Sequence, residues 1–211
     1  MERIYCFLIG YAAGCVAWAY FFGRIAKGID IREYGSGNAG TTNVIRVLGK
    51  KWGIATLVLD ILKGVLGVVI CAFLYGYEAK HLLLWAGLGV VMGHNYPFYL
   101  RFRGGKGIAA SVGVVLAADP RIFALCLLPV LMVLYLSKYM SLASLTAIML
   151  LVMFSIVFYL GAPNGLEVIG LCVCLAVSGF FRHRGNIKRL LAGTEAKMGQ
   201  NVSIDQKSDK H

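Results

Sequence analysis

The run WGIATLVLDILKGVLGVVICAFLY, residues 52–75, decides the fold class. It is apolar throughout save for Asp60 and Lys63, and about 20 such residues in helical form cross a hydrocarbon core of about 30 Å. The run reads as a membrane span that starts at the cytoplasmic face and carries an acid and a base two turns in. An ionised side chain near the bilayer centre costs about 2.5–3.5 kcal/mol, so these two face the bundle interior and find partners. Three positions apart on a helix, Asp60 and Lys63 can pair with each other. A structural ion pair, a support behind a site and a direct catalytic role all stay open for them.

Working outward, six more apolar runs flank this one, at residues 4–22, 81–99, 108–118, 122–136, 142–160 and 166–181. The first is rich in Gly and Ala, which lets helices approach closely in lipid. The run at 108–118 has about half a spanning length and reads as a short or re-entrant helix. Over 211 residues, 59% hydrophobic and 15% charged, with a mean hydropathy of +0.73, the chain is too apolar for a water-soluble domain. The expected fold is an all-α integral membrane protein, a bundle of about seven transmembrane helices, one of them short. One domain is expected over residues 1–195, followed by a polar, disordered tail at 196–211. The apolar start lacks a small-residue cleavage site and reads as a retained first span. All six cysteines lie inside or beside apolar runs without a CxxC pair and read as small packing residues.

A net charge of +11 fits either a nucleic-acid binder or a membrane protein with the positive-inside excess. Placement separates the two. Arg24, Lys27, Arg32, Arg46, Lys50 and Lys51 follow the first run, Arg101, Arg103 and Lys106 the third, Lys138 the fifth, and Arg182, Arg184, Lys188 and Arg189 the last. The opposite gaps hold little more than Arg3, Lys80 and Arg121. This bias excludes nucleic acid as the partner and puts the N-terminus outside and the C-terminus in the cytoplasm.

Three polar segments return to that one face. Residues 34–43, Tyr-Gly-Ser-Gly-Asn-Ala-Gly-Thr-Thr-Asn, combine three glycines with the side chains of Ser36, Asn38, Thr41, Thr42 and Asn43, and Arg46 follows. Glycines that turn backbone N–H groups inward, together with such side chains, make an anion cradle. Gly93-His94-Asn95-Tyr96-Pro97 leads into Gly104-Gly105-Lys106-Gly107, a second glycine loop with a lysine at its tip. His183, Arg184, Asn186, Lys188 and Arg189 close the last run. Topology alone accounts for Lys50, Lys51 and Arg101. It does not account for cations alternating with Gly, Ser, Thr, Asn and His, which serves phosphate.

Other chemistries fall on spacing or context. Gly35 to Gly40 satisfies G-x-G-x-x-G, and Asp60 stands where a ribose-binding acid would, but the motif follows a membrane span instead of a strand and Asp60 lies inside one. A P-loop needs Lys after Gly40, where Thr41 stands. His94 and His183 lack further ligands at metal spacing, so no metal and no other cofactor is expected. An acyltransferase of the His-x-x-x-x-Asp type would need Asp at residues 86, 99 or 188, which are Ala, Tyr and Lys.

Taken together and in order, Gly-Ser-Gly-Asn-x-Gly-x-Thr-Asn-x-x-Arg from Gly35 to Arg46, Gly-His-x-x-Pro with Gly-Gly-Lys-Gly from Gly93 to Gly107, and His-Arg-x-Asn-Ile-x-Arg-Leu from His183 to Leu190 resemble the acyl-phosphate:glycerol-3-phosphate acyltransferases of bacterial membranes, the PlsY family. The resemblance spans nearly the whole chain up to Glu195. It implies a seven-helix inner-membrane enzyme, with its active site at the cytoplasmic face, that moves a fatty acyl group from acyl phosphate to the sn-1 hydroxyl of glycerol 3-phosphate. Lysophosphatidic acid and phosphate are the products, and the first acylation of phospholipid synthesis is the step. It also implies a functional link to the enzyme that makes acyl phosphate, and membrane lipid around the acyl chain.

By position the resemblance makes Ser36, Arg46, Lys106, His183 and Asn186 the catalytic set. Ser36, Gly37, neighbouring backbone N–H groups and Lys106 would hold the acyl phosphate and the charge growing on its carbonyl oxygen. Arg46, His183 and Asn186, with Ser141 or Ser144, would hold glycerol 3-phosphate. Asn38, Gly40, Thr41, Asn43, His94, Gly104, Gly105, Gly107, Arg184 and Arg189 would complete the substrate contacts. His183 is placed in binding, with the substrate's own phosphate assisting proton loss. A transporter or flippase of a phosphorylated metabolite is the alternative, although such a protein usually shows broken helices at mid-membrane in an inverted repeat, and here the polar groups sit at one face.

Overall fold

The computed structural model describes residues 1–198; residues 199–211, most of the expected tail, lie outside the described residues. Nine α-helices occupy the described residues: α1 (Glu2–Cys15), α2 (Trp18–Lys27), α3 (Thr41–Leu48), α4 (Lys50–Tyr75), α5 (Lys80–Asn95), α6 (Ile108–Ala118), α7 (Pro120–Ser137), α8 (Met140–Tyr159) and α9 (Gly165–Leu191). No strand is present among them. Among the described residues, five stretches are long and apolar enough to cross a membrane: Glu2–Lys27, Lys50–Tyr75, Pro120–Ser137, Met140–Tyr159 and Gly165–Leu191. At 16 residues α5 and at 11 residues α6 are shorter, about 24 Å and about 16 Å.

Every apolar run forms helix, with three differences from the sequence reading. The first run breaks at Val16 and Ala17, which leave helical geometry. Two side chains satisfy the freed backbone groups: Lys63 Nζ donates to Val16 O at 2.7 Å, and the Tyr99 hydroxyl donates to Cys15 O at 2.7 Å and accepts from Ala17 N at 3.2 Å. The third run ends at Asn95, before Pro97, whose ring cannot continue a helix. The last runs on to Leu191, ten residues past the expected end at Phe181.

Small residues set the seams. Gly10 and Gly14 of α1 lie against the backbone of Ala86 and Val90 of α5, and Gly89 and Gly93 of α5 lie against Phe7 and Tyr11 of α1, close enough that a Cβ would overlap carbonyl oxygen. Two four-residue glycine spacings thus interlock, and dispersion between backbones replaces the hydrophobic drive that lipid cannot supply. Gly64 of α4 and Gly113 of α6 repeat the device. Opposite these seams, Leu128, Tyr135 and Leu136 of α7 stand exposed, an apolar face suited to lipid.

The two ends of the bundle differ. At one, Glu167 accepts both Arg3 Nε and Nη2, at 2.6 and 2.8 Å, and Trp85 Nε1 at 2.7 Å, tying α1, α5 and α9 together. Tyr159 donates to Asp119 at 2.6 Å there. The other end gathers the polar segments. Residues 28–49 fold onto α2 and α4 around a small apolar cluster of Ala19, Ile31, Ala39, Val44 and Val47. Arg32 pairs with Asp30 and donates to Leu100 O and Arg103 O, joining the first polar segment to the second.

Candidate active site

The first glycine loop is held from within. Gly35 and Gly37 take φ of +60 and +68, a region open to glycine at little cost. Asn43, fully buried, accepts from Ser36 N at 2.8 Å and donates to Ile31 O and Tyr34 O. Its amide is therefore spent on holding the loop. Gly37 N and Gly40 N likewise bond to Tyr34 O and Asn38 O. The open cradle of Ser36 and Gly37 N–H groups is not what the chain forms. It forms a self-bonded turn that presents the exposed Ser36 side chain, with Asn38 half-buried and the Thr41 hydroxyl buried without a hydrogen-bond partner among the described residues. Arg46 stands half-buried one turn further along α3.

The second loop lies against the first. Gly104 N and Gly105 N donate to Asn95 O and His94 O, at 3.0 and 3.1 Å, so these two amides are also committed. Gly105 sits between the His94 ring and Ala39 O, where a Cβ would overlap both. Gly107, at φ +82, turns the chain into α6. Lys106 Nζ donates to Asn186 Oδ1 at 2.6 Å. Burial pushes the Lys106 ammonium down to about 8, opposed by the Glu195 carboxylate and reinforced by Arg189, Arg182 and Arg46. His94 is buried beneath the loop, with Nδ1 3.6 Å from Asp60 Oδ1, so the structure places it behind the glycines and not at their open side.

The extension of α9 supplies the third segment. His183, Asn186 and Arg189 recur every three residues on one helix face. His183 Nδ1 lies 2.8 Å from Gly179 O and must carry the proton there, which leaves Nε2 of the neutral ring as an acceptor. Arg182, not expected from the sequence, donates to Gly104 O and Gly105 O at 2.9 and 2.5 Å and braces the second loop. Arg184 is exposed and turns onto its own helix, over the Phe181 ring and against Phe181 O, so it does not join the cluster.

After α9 the chain doubles back as a short strap. Thr194 N bonds to Arg189 O and Met198 N to Lys138 O, each at 2.8 Å. Residues 196–198, expected to be loose tail, therefore dock on the turn between α7 and α8. The strap carries Glu195 inward, where it accepts from Asn186 Nδ2 at 2.6 Å and Arg189 Nε at 2.7 Å. Those hydrogen bonds hold its carboxyl below the usual range despite burial. Ser141 is buried and turned toward the same carboxylate without closing a hydrogen bond on it. Ser144 donates to Met140 O of its own helix.

The chain matches the family model described as glycerol-3-phosphate acyltransferase over residues 4–193. It is 45% identical to the glycerol-3-phosphate acyltransferase of Thermoanaerobacter sp. (strain X514) over 204 residues, covering 97% of this chain and 100% of that one. With the protein of the same name from Clostridioides difficile (strain 630) it shares 43% over 196 residues, covering 92% and 94%. The fold resembles crystal structures of PlsY, an integral membrane glycerol 3-phosphate acyltransferase. The TM-score is 0.84 at 36% identity for the glycerol 3-phosphate form and 0.81 at 35% for the lysophosphatidic acid form. Each comparison covers 94% of this chain and 96% of the other.

Proposed function

The chain belongs to the glycerol-3-phosphate acyltransferase family, and from that premise we propose that its acyl donor is an acyl phosphate and that both substrates meet at the cation-rich end of the bundle. The protein is an enzyme that acylates glycerol 3-phosphate to lysophosphatidic acid. One observation carries the rest. Arg46, Arg182 and Arg189 gather near Lys106, four cations from three chain segments, and the Glu195 carboxylate faces Lys106, Arg46 and Arg189 among them. Half-buried surplus positive charge is stable only with anions to meet it, and the two substrates bring a phosphate each.

In this reading Lys106 and Ser36 hold the acyl phosphate and the charge that grows on its carbonyl oxygen as the tetrahedral centre forms. Arg46, Asn186 and Ser141 hold the glycerol phosphate, with Asn38, Thr41 and Arg189 at the margin. His183 Nε2 accepts from the attacking hydroxyl and orients it. The hydroxyl oxygen bonds to the acyl carbon, the bond from that carbon to the phosphate oxygen breaks, and the departing phosphate takes up the hydroxyl proton. An activated donor with a good leaving group asks little beyond placement and charge, so no cofactor is invoked.

Topology follows the same logic. With α1 and α2 as one broken span, the chain crosses seven times, which puts its ends on opposite sides. The cation-rich end, and with it the site, faces the cytoplasm of a bacterial inner membrane. The acyl chain lies in surrounding lipid. An enzyme that makes acyl phosphate supplies the donor.

The test is phosphate release by the purified, detergent-solubilised protein given palmitoyl phosphate and glycerol 3-phosphate, with palmitoyl-CoA in a parallel reaction. Release that needs both substrates, with no turnover of the thioester, is expected. Turnover of palmitoyl-CoA without use of palmitoyl phosphate would overturn the donor assignment.

A further inference from the structure

Beneath the second glycine loop lies a charged cluster that the reaction as described leaves unused. Asp60, Lys63 and His94 are 1%, 5% and 7% exposed. Asp60 Oδ1 is 2.8 Å from Lys63 Nζ, which reaches on to Val16 O at the break between α1 and α2. The same Oδ1 lies 3.6 Å from His94 Nδ1, and neither of those two atoms completes a hydrogen bond among the described residues. The far edge of the His94 ring and Ala39 O of the first loop both border the space that a Cβ on Gly105 would fill, so the ring and the two loops meet there. Gly105 N, in turn, bonds to His94 O.

A buried ion pair is poor evidence of stability, because well-packed apolar residues of similar volume often serve as well. Its retention here calls for a different use. We infer that Asp60, Lys63 and His94 form a positioning cluster, in which one carboxylate fixes both the break in the first span and the imidazole that sets how closely the two glycine loops approach, and hence where Lys106 stands. The cluster touches no substrate. It acts through Gly105, which has no side chain to absorb a shift of the ring below it. Side chains that support a site matter through such placement, and a displacement of about 1 Å can cost about 100-fold in rate.

This inference rests on reading the Lys106 loop as a phosphate site, so its test carries a readout independent of turnover. The double variant Asp60→Leu/Lys63→Met removes both charges together and leaves no unpaired ion to unfold the protein. The single variant His94→Gln keeps a polar group of similar reach without the ring. Thermal melting, binding of inorganic phosphate by titration calorimetry, and kcat and KM for both substrates are measured on each. Positioning predicts near wild-type melting for at least one variant, with phosphate binding weakened about tenfold and kcat lowered about tenfold or more. Folded variants with unchanged phosphate binding and unchanged kcat and KM would reduce the cluster to a structural pair and overturn the inference. Loss of folding in both variants would also overturn it, since the charges would then be needed for the fold itself. Wild-type protein that binds phosphate but fails to turn over palmitoyl phosphate would overturn the donor assignment alone.

Discussion

At the scale of single residues, the site is decided by which polar groups are already spent. The ammonium of Lys106 acts as a cation, and burial brings it down to about 8. A lysine is charged below its pKa, so the charge is lost as pH rises through that value. The kcat/KM profile should therefore fall on its alkaline side by about tenfold per pH unit above the midpoint. Arg189 is one of the neighbours holding this group down, and Arg189→Gln should move the alkaline midpoint upward. A limb that stays in place would detach Lys106 from the rate. The sequence singled out Ser36, Arg46, Lys106, His183 and Asn186 as candidates, because rare polar side chains among glycines have few other uses, and the structure brings Lys106 and Asn186 into contact. The sequence did not show that Asn43, Ser144 and Arg184 bond to backbone carbonyls and, for Arg184, lie over the Phe181 ring as well. Backbone partners of that kind leave no trace in residue type.

At the scale of elements, the apolar runs gave the helices because each is long enough to need its backbone bonds satisfied in lipid. α6 begins and ends where its run does. Two errors share a cause. The charges at 182–184 read as the end of the last helix, and the unbroken apolar run at 4–22 as one helix, yet composition marks the lipid boundary, not the end of backbone hydrogen bonding. Carrying α9 onward would have revealed Arg182 and Asn186 as neighbours four apart on one face. The extension itself can be tested at Gly185, which is exposed with ample room around it. Gly185→Ala should be neutral or stabilise by up to about 1 kcal/mol. Gly185→Pro should break the ladder at a cost of about 3 kcal/mol, displacing Asn186 and Arg189 while the apolar half of α9 stays packed. Activity would then vanish in protein that still folds. Equal activity in the two variants would contradict a helix through the site.

At the scale of the whole molecule, one end is held by side-chain clamps between helices, and the other gathers the cations proposed to meet the substrate phosphates. The clamp of Arg3, Trp85 and Glu167 belongs to the first. Glu167→Gln should lower the melting temperature and leave kcat/KM unchanged, and a kinetic defect would mean the two ends communicate. In the α1–α5 seam, Gly10→Val should cost about 3 kcal/mol or more, since its Cβ would overlap Ala86 O and the helices would have to part. Thermal melting reads that loss, and an unchanged melting temperature would show that the seam is looser than its geometry. Division of labour between the ends requires that the cation at the tip of the second loop serve chemistry and not folding. The most direct measurement is therefore turnover of palmitoyl phosphate and glycerol 3-phosphate by Lys106→Ala, alongside its melting curve. The predicted result is a wild-type melting temperature with turnover lost by about 100-fold or more. Retained turnover in the folded variant would remove Lys106 from the phosphate site and contradict the account.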